Sequence, residues 1–324
     1  MGGVSGAETV LLGERYRLVE QLGAGGMSVV WRGYDEVLGR QVAVKVLASG
    51  HADDRAFRHR IRTEAKAAAR LVHPHITNVY DYGESIRDGR TVPYVVMELV
   101  DGESLQTWLR RHQRMSWRNA ATVCMEVASA LATAHARGLV HRDVTPGNVM
   151  LTVAGAKVVD FGISALAGES ESGPDGTLYG TPAYLAPERL DGGQVQPAAD
   201  IYALGLVLYR MLAGRLPWQA GSTTEMLRAH LYEEPAALPS LDGMPDELAE
   251  LCLRCLAKDP AERPTSVDLA RNLAEVLGLH AVLPVSPAPV GDHPADPDDL
   301  ANAGTTLLPW SAATDAIPLP GGAR

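Results

Sequence analysis

The stretch HRDVTPGNVM, residues 141–150, contains a pair of polar residues to which the other motifs of the sequence are related by order and spacing. Asp143 and Asn148 lie five positions apart in it. The triplet DFG begins seventeen residues after Asp143, at residue 160, and the triplet APE, residues 186–188, closes the longer stretch GTPAYLAPE. Any one of these triplets arises easily by chance. Their order and compact spacing therefore indicate one functional unit rather than a set of accidental matches.

A glycine-rich stretch, LGAGGMSVV at residues 22–30, lies upstream of this unit. Glycines allow backbone amides to approach phosphate oxygens closely. The stretch lies between two predicted strands, YRLVEQLG and SVVWRGYD, whereas a dinucleotide-binding fingerprint opens a helix. The glycine pattern alone is equally typical of a plain turn, so its meaning depends on the residues downstream of it.

Lys45 follows Gly25 by twenty residues and ends the apolar run VAVK on a predicted third strand. An unpaired charge in an apolar run is costly, so Lys45 requires a partner. Glu64 lies in the next predicted helix, FRHRIRTEAKAAARL, and is the candidate. We therefore predict a Lys45–Glu64 ion pair, with an ordinary surface glutamate as the alternative interpretation of Glu64.

Together, these motifs resemble those of the bacterial eukaryotic-type (Hanks-type) Ser/Thr protein kinases, in particular those of actinobacteria. The resemblance covers roughly Tyr16 to Leu279 and implies the α+β, two-lobed kinase fold. It predicts a kinase domain over residues 14–279, with a β-rich N-lobe to about residue 100 and a mostly helical C-lobe over residues 101–279. Residues 1–13 and the Pro-, Ala- and Asp-rich residues 280–324 are predicted to be disordered.

The resemblance also implies roles for individual residues. Asp143 would accept the proton of the substrate hydroxyl, with Lys45, Glu64 and Asn148 completing the catalytic set, and Asn148 and Asp160 would hold Mg²⁺ (or Mn²⁺) ions. The residues expected to bind ATP are Leu22, Gly23, Ala24, Gly25, Gly26, Met27, Ser28, Val29, Val30, Ala43, Lys45, Met97, Glu98 and Val100. In this set, Met97 is the gatekeeper and Glu98 begins the hinge that faces the adenine.

Two further matches concern the fold rather than the chemistry. Asp200, in AADIYALG, resembles the helix aspartate that anchors the catalytic loop of kinases. Arg263, in KDPAERP, resembles the arginine that pairs with the glutamate of APE, here Glu188. Since buried acids and bases need partners, we predict both contacts.

A regulatory site is also implied by the resemblance. Thr177 lies four residues before Thr181, as in kinases that are activated by phosphorylation of this segment. A phosphate on Thr177 would pair with Arg142, while Thr181 would stay unmodified and line the catalytic cleft.

Two positions depart from the family pattern. Ser28 replaces the third glycine of the glycine-rich stretch. Thr145 replaces the lysine usual in Ser/Thr kinases, and Gly147 stands where tyrosine kinases generally carry an arginine. GTPAYLAPE resembles the substrate platform of Ser/Thr kinases and argues against tyrosine specificity.

The resemblance thus predicts transfer of the γ-phosphoryl group of ATP to Ser or Thr of proteins, including the kinase itself. A second copy of the chain is a candidate partner for trans-autophosphorylation. One alternative is a nucleotide-binding pseudokinase that acts as a scaffold, which Thr145 favours and the intact catalytic and metal positions oppose. Another is a small-molecule phosphotransferase of related fold, which would not be expected to carry GTPAYLAPE.

Composition restricts the class of protein further. An apolar fraction of 46% indicates a folded globular protein, and a net charge of −10 argues against nucleic acid as a partner. The excess of arginine over the four lysines, with much Ala and Gly, indicates a bacterium with GC-rich coding. The sequence shows no uncharged apolar run of membrane-spanning length and no signal-peptide pattern, so a cytoplasmic protein without a membrane span is expected.

The cysteines fit the same compartment. Three of them form no disulfide framework, which is typical of a reducing cytosol. Cys252 and Cys255 have the CxxC spacing of metal and redox sites. However, both lie in the helical pattern ELAELCLRCLAKDP, so we predict that they are buried packing residues.

Overall fold

The computed structural model of the protein describes residues 10–25, 28–47, 55–87, 89–161, 182–190 and 195–279. They form a β-rich lobe followed by a mostly helical lobe, as the motifs predict. Within these ranges, no helix combines the length and the apolar character needed to cross a lipid bilayer.

The N-lobe is one antiparallel six-stranded sheet with the strand order β1-β2-β3-β4-β6-β5. Its strands are β1 (Leu11–Leu12), β2 (Tyr16–Gly25), β3 (Ser28–Asp35), β4 (Arg40–Leu47), β5 (Val79–Arg87) and β6 (Arg90–Met97). The helix α1 (Arg55–Ala68) buries Phe57, Ile61, Ala65 and Ala68, which helical spacing places on one face. Phe57, Ile61 and Ala65 form one apolar cluster with residues of β4 and β6, so α1 is fixed beside the strand that carries Lys45.

The disorder predicted for residues 1–13 extends too far. Leu11–Leu12 form β1, which pairs with β2 through Leu11 opposite Arg17 and Leu12 opposite Tyr16. Leu12 is completely buried in a cluster with Tyr16 and Tyr94. A two-residue strand is too short to show periodicity in the sequence, and it is the burial of a single leucine that holds it on the sheet.

The C-lobe is built on α2 (Leu105–His112), α3 (Trp117–His135), α4 (Pro187–Leu190), α5 (Pro197–Ala213), α6 (Thr223–Tyr232), α7 (Asp246–Cys255) and α8 (Ser266–Val276). A small sheet of β7 (Glu103–Ser104), β8 (Val149–Thr152) and β9 (Gly155–Val158) packs against α2 and α3. The helix α5 lies in the core of this lobe, because most of its residues are buried. The catalytic-loop stretch runs from α3 to β8, and α3 and α5 pack together beneath it.

The buried packing predicted for the CxxC pair is confirmed. Cys252 and Cys255 are completely buried in the core of the C-lobe, and the Cys252 thiol lies 3.6 Å from the carbonyl oxygen of Gly205. Burial raises the pKa of the Cys255 thiol to about 12, so it stays protonated and unreactive.

Gly205 allows α5 and α7 to approach each other, and we expect Gly205→Ala to destabilise the protein. An added Cβ would lie 2.6 Å from the Cβ of Cys255. Overpacking of this kind costs about 2–3 kcal/mol, and alanine recovers about 1 kcal/mol through helix propensity, so the expected net loss is about 1–2 kcal/mol. Denaturant unfolding measures this loss. Gly23→Ala is the control, because its added Cβ meets nothing within 4 Å; equal effects of the two substitutions would contradict the packing argument.

Candidate active site

Asp143 and Asn148 are joined directly. Asn148 Nδ2 donates to the backbone oxygen of Asp143 and to its Oδ2, both at 2.8 Å. The 3₁₀ turn Pro146–Asn148 produces this geometry by folding the chain back between the two residues. Among the described residues, no hydrogen bond to Asp143 Oδ1 forms. One carboxylate oxygen is therefore held in place while the other is available to a substrate hydroxyl.

Asp200 holds the loop from below, as the sequence predicts. Its Oδ1 accepts from the backbone N–H of Arg142 and its Oδ2 from that of His141, each at 2.8 Å. His135 Nε2 also lies 2.8 Å from Oδ2. Arg142 has a positive φ of 70°, which a non-glycine residue adopts only when its surroundings impose it. The buried Asp200 carboxylate is the group that imposes it, since it binds both N–H groups flanking the turn.

His141 connects this loop to the DFG segment, a role that the sequence did not reveal. Its Nδ1 accepts from the backbone N–H of Asp143 at 3.2 Å, and its Nε2 donates to the Val159 carbonyl oxygen at 3.0 Å. The imidazole also packs edge-on against Phe161 with 4.7 Å between ring centroids. These two hydrogen bonds select the tautomer that carries its proton on Nε2. His141 therefore sets the distance between Asp143 and the segment that carries Asp160.

Lys45 and Glu64 have different partners from those predicted. Lys45 Nζ lies 3.0 Å from Asp160 Oδ2, whereas Glu64 Oε1 lies 3.6 Å from an Arg142 guanidinium nitrogen. The observed ion pairs thus correct the Lys45–Glu64 hypothesis for this conformation. The physical reason is competition: the almost fully buried lysine needs a carboxylate partner, and Asp160 supplies it. Glu64 lies instead within reach of a second cation, Arg142.

The metal-binding assignment fits the donor atoms present. Asp160 Oδ1 is buried and has no hydrogen-bond partner among the described residues. The residue also has a positive φ of 65°, a conformation that serves to aim its side chain. The Nδ2 of Asn148 is bound to Asp143, which leaves the amide oxygen of Asn148 available as a metal ligand. Carboxylate and amide oxygens are the ligands that hard divalent cations prefer.

The pairing of β3, β4 and β6 brings several of the predicted nucleotide-binding residues next to one another. Val30 lies opposite Lys45 across β3 and β4, and Ala43 lies opposite Met97 across β4 and β6. Ala43 and Met97 are buried in one apolar cluster against which Val30 packs. These positions suit an apolar base next to a phosphate-binding lysine. The other predicted ATP-binding residues are more exposed. Four of them are exposed on β2, namely Leu22, Gly23, Ala24 and Gly25, and three are half-buried, namely Ser28 and Val29 at the start of β3 and Val100 beyond β6. The remaining two, Gly26 and Met27, lie outside the described residues.

The side chain of Glu98 is held by hydrogen bonds from Lys157 and Asn78. Lys157 Nζ donates to both of its carboxylate oxygens, at 2.7 and 2.8 Å, and Asn78 Nδ2 donates to Oε2 at 3.1 Å. Because the Glu98 side chain is occupied, this residue can offer the adenine its backbone groups, which agrees with the predicted role of the hinge. Lys157 is one of only four lysines in an arginine-rich chain. This scarcity is the sequence feature that could have indicated a specific role for Lys157.

The surroundings of Thr145 contain neutral oxygens rather than the usual ammonium group. Thr145 is buried and extended, and its hydroxyl does not cap the following turn. A Cβ added at Gly147 would lie 3.5 Å from the Thr145 hydroxyl oxygen and 3.2 Å from Oε1 of Gln106, on α2. Gln106 is thus a neighbour of the catalytic loop that no sequence motif indicated.

The predicted pair between Glu188 and Arg263 is confirmed. Two guanidinium nitrogens of Arg263 donate to the two carboxylate oxygens at 2.7 and 2.9 Å. Arg263 also donates to the carbonyl oxygens of Ala198, Ala257 and Lys258. A fully satisfied, buried guanidinium of this kind fixes α4 against α5. Gly162, Thr177 and Thr181 lie outside the described residues, so the phosphorylation hypothesis for Thr177 stays a prediction.

The family model for the protein kinase domain matches residues 16–274 of this sequence. The chain belongs to the protein kinase family. Members of this family generally use ATP as a substrate together with divalent metal ions. The two lobes, the anchored loop and the Glu188–Arg263 pair described above agree with this assignment.

Similar proteins come from actinobacteria, which confirms the resemblance to bacterial Ser/Thr kinases. Serine/threonine-protein kinase PknA of Mycobacterium tuberculosis is 43% identical over 257 residues, which cover 78% of this chain and 59% of PknA. PksC of Streptomyces coelicolor is 40% identical over 274 residues, which cover 82% of this chain and 49% of PksC. A probable serine/threonine-protein kinase of Corynebacterium efficiens is 37% identical over 321 residues, which cover 96% of this chain and 48% of that kinase. The chain therefore spans between 48% and 59% of the length of these relatives.

Proposed function

We propose that this chain transfers the γ-phosphoryl group of ATP to Ser or Thr side chains of proteins, including a second copy of itself. The observation that carries the proposal is the Asp143 carboxylate. Asn148 holds one of its oxygens while the other stays available, and Asp200 fixes the loop beneath it. The names of the actinobacterial relatives support the choice of Ser and Thr as acceptors.

In this mechanism, Asp143 orients the acceptor hydroxyl and accepts its proton as the hydroxyl oxygen bonds to the γ-phosphorus and the bond from that phosphorus to the ADP oxygen breaks. Asn148 keeps the carboxylate from rotating. Lys45 places a buried positive charge beside Asp160, within the cleft where the phosphates would lie. Mg²⁺ or Mn²⁺, held by Asp160 and Asn148, would neutralise the charge on the phosphates. Because the transition state is loose, this positioning and charge compensation account for most of the catalysis.

The pseudokinase alternative rests on Thr145 alone. The other catalytic positions carry the residues that the family pattern requires, and two of the pairs, Asp143–Asn148 and Lys45–Asp160, are in direct contact. We therefore expect a slow but active kinase.

The direct test is incubation of the purified chain, residues 1–324, with Mg²⁺ and ATP, followed by intact-mass measurement and phosphopeptide mapping. Successive gains of one phosphate on Ser or Thr support the proposal. A parallel reaction offers the Asp143→Asn chain as substrate to the wild-type chain, which distinguishes transfer between copies from transfer within one copy. No phosphate on the chain, on its copy or on dephosphorylated casein, with either metal ion, would refute it.

We expect Thr145→Lys to raise kcat by about tenfold, which corresponds to about 1.4 kcal/mol of activation free energy. The new ammonium group would add positive charge beside the phosphoryl group, where the wild-type residue offers a neutral hydroxyl. Since this charge matters most as the bond breaks, the KM for ATP should change little. Steady-state kinetics at saturating Mg-ATP on dephosphorylated casein measures both quantities.

Thr145→Met is the matched control, because methionine has a length close to that of lysine but carries no charge. A similar gain in both variants would assign the effect to side-chain volume. An unchanged kcat in Thr145→Lys would show that the missing charge is already supplied elsewhere.

A further inference from the structure

A buried histidine outside the catalytic machinery has one ring nitrogen without a partner. His230, on α6, is completely buried. Its Nδ1 lies 2.8 Å from the Tyr202 hydroxyl, and its ring packs edge-on against Trp218 with 4.9 Å between centroids. Its Nε2 is buried and makes no hydrogen bond within the part of the chain that the structure describes. A buried polar atom left without a partner is costly, so its position calls for an explanation.

The surroundings of His230 hold it rigidly. Lys258 Nζ donates to the carbonyl oxygens of Ala229 and His230 at 3.0 and 2.7 Å, which fixes the last turn of α6. The same ammonium group lies 4.5 Å from the centre of the Trp218 ring. Arg263, which binds Glu188, stacks over Tyr202 at 4.8 Å. The imidazole is thus an immobile group connected to the pair that anchors α4.

The segment Pro182–Tyr184 packs against α6, and the backbone of Ala183 faces His230. The Ala183 backbone raises the pKa of the imidazole, and of the two backbone polar groups only the carbonyl oxygen stabilises a protonated ring. The facing group is therefore the carbonyl oxygen. Burial and the nearby Lys258 charge outweigh this contribution and lower the pKa of His230 to about 4, so the ring is neutral at neutral pH.

A neutral imidazole carries one proton, and the neighbouring groups determine where it lies. Tyr202 can donate to Nδ1, which leaves the proton on Nε2, directed towards the Ala183 carbonyl oxygen. The other tautomer would place the Nε2 lone pair against that carbonyl and leave the Tyr202 proton without this acceptor. The tautomer with the proton on Nε2 is therefore favoured.

We propose that His230 is a positioning residue for the protein substrate: its Nε2–H donates to the Ala183 carbonyl oxygen and thereby fixes the segment Pro182–Tyr184 as the surface on which the acceptor peptide lies. The inference rests on the proposed function, since GTPAYLAPE is the substrate platform only if the chain phosphorylates proteins. In the described conformation the bond is open, and a small closing movement of this segment would complete it. His230 would then act through the platform and not on the reacting atoms.

Two substitutions separate this role from simple packing. In His230→Gln, the amide nitrogen takes the place of Nε2 and can still donate to Ala183. In His230→Asn, the amide takes the place of Nδ1, so the contact with Tyr202 is kept and the donor is lost. We expect His230→Asn to raise the KM for dephosphorylated casein by about tenfold, the effect of one lost hydrogen bond, with the KM for ATP unchanged. His230→Gln should stay within about twofold of the wild type in the same assay.

Hydrogen exchange of the backbone amides of residues 182–190 provides a readout that does not need kinase activity. We expect faster exchange there in His230→Asn than in the wild type and His230→Gln, with equal melting temperatures for the two variants. Equal exchange in all three proteins, or an equal rise in the KM for casein in both variants, would overturn the inference. Wild-type protein that phosphorylates nothing would instead refute the proposed function, and the exchange result would still decide the contact.

Discussion

Asp143→Asn is expected to lower the rate of phosphoryl transfer by a factor of about 10²–10⁴, the contribution of a positioned general base. The amide cannot accept the proton of the hydroxyl, although it has almost the size of the carboxylate. Asn148 Nδ2, now 2.8 Å from Oδ2, can donate to the new amide oxygen, so the loop should keep its conformation. Incorporation of labelled phosphate, under single-turnover conditions, measures the loss.

The matched control for Asp143→Asn is Asp242→Asn, the same change at an exposed position of the C-lobe. It should leave both the rate and the melting temperature unchanged. If Asp143→Asn incorporated phosphate at the wild-type rate, this carboxylate would have no part in the reaction, and the proposed mechanism would be wrong.

Lys45→Ala should lower turnover by about 10²–10³-fold, since it removes a preorganised positive charge from a buried cleft. In the structure the ammonium lies 3.0 Å from Asp160, so the substitution also leaves that carboxylate without its cation. Both effects weaken the site that holds the phosphates. The kcat with saturating ATP and the affinity for ATP, measured by calorimetry, report the two parts separately.

Lys66→Ala provides the comparison for Lys45→Ala. Lys66 lies in the last turn of α1 and is exposed, so its loss should change neither quantity. A variant at Lys45 that kept its wild-type turnover would remove this lysine from the catalytic set. It would also favour a mechanism in which the metal ions alone neutralise the phosphates.

The sequence by itself determined the features that depend on local pattern. The pattern of residues 16–47 predicted three strands that the structure contains, and helical patterns predicted α1 and α7. The resemblance of its motifs to those of the kinases also implied the partners of Asp200 and Arg263, and the burial of these charges requires such partners. Such inferences succeed because the chemistry of a single position restricts the answer.

The tertiary structure alone decided which of several compatible charges meet. Lys45, Glu64, Arg142 and Asp160 come from four separate segments, and the sequence allows more than one pairing among two cations and two carboxylates. The pairs Lys45–Asp160 and Arg142–Glu64 depend on how these four segments pack, and both Arg142 and Asp160 have a left-handed backbone. The placement of His230 beneath Ala183 likewise needs α6 and the segment Pro182–Tyr184 to be packed together. An ion pair or a hydrogen bond requires separations of a few ångströms, and only the packed chain sets distances on that scale.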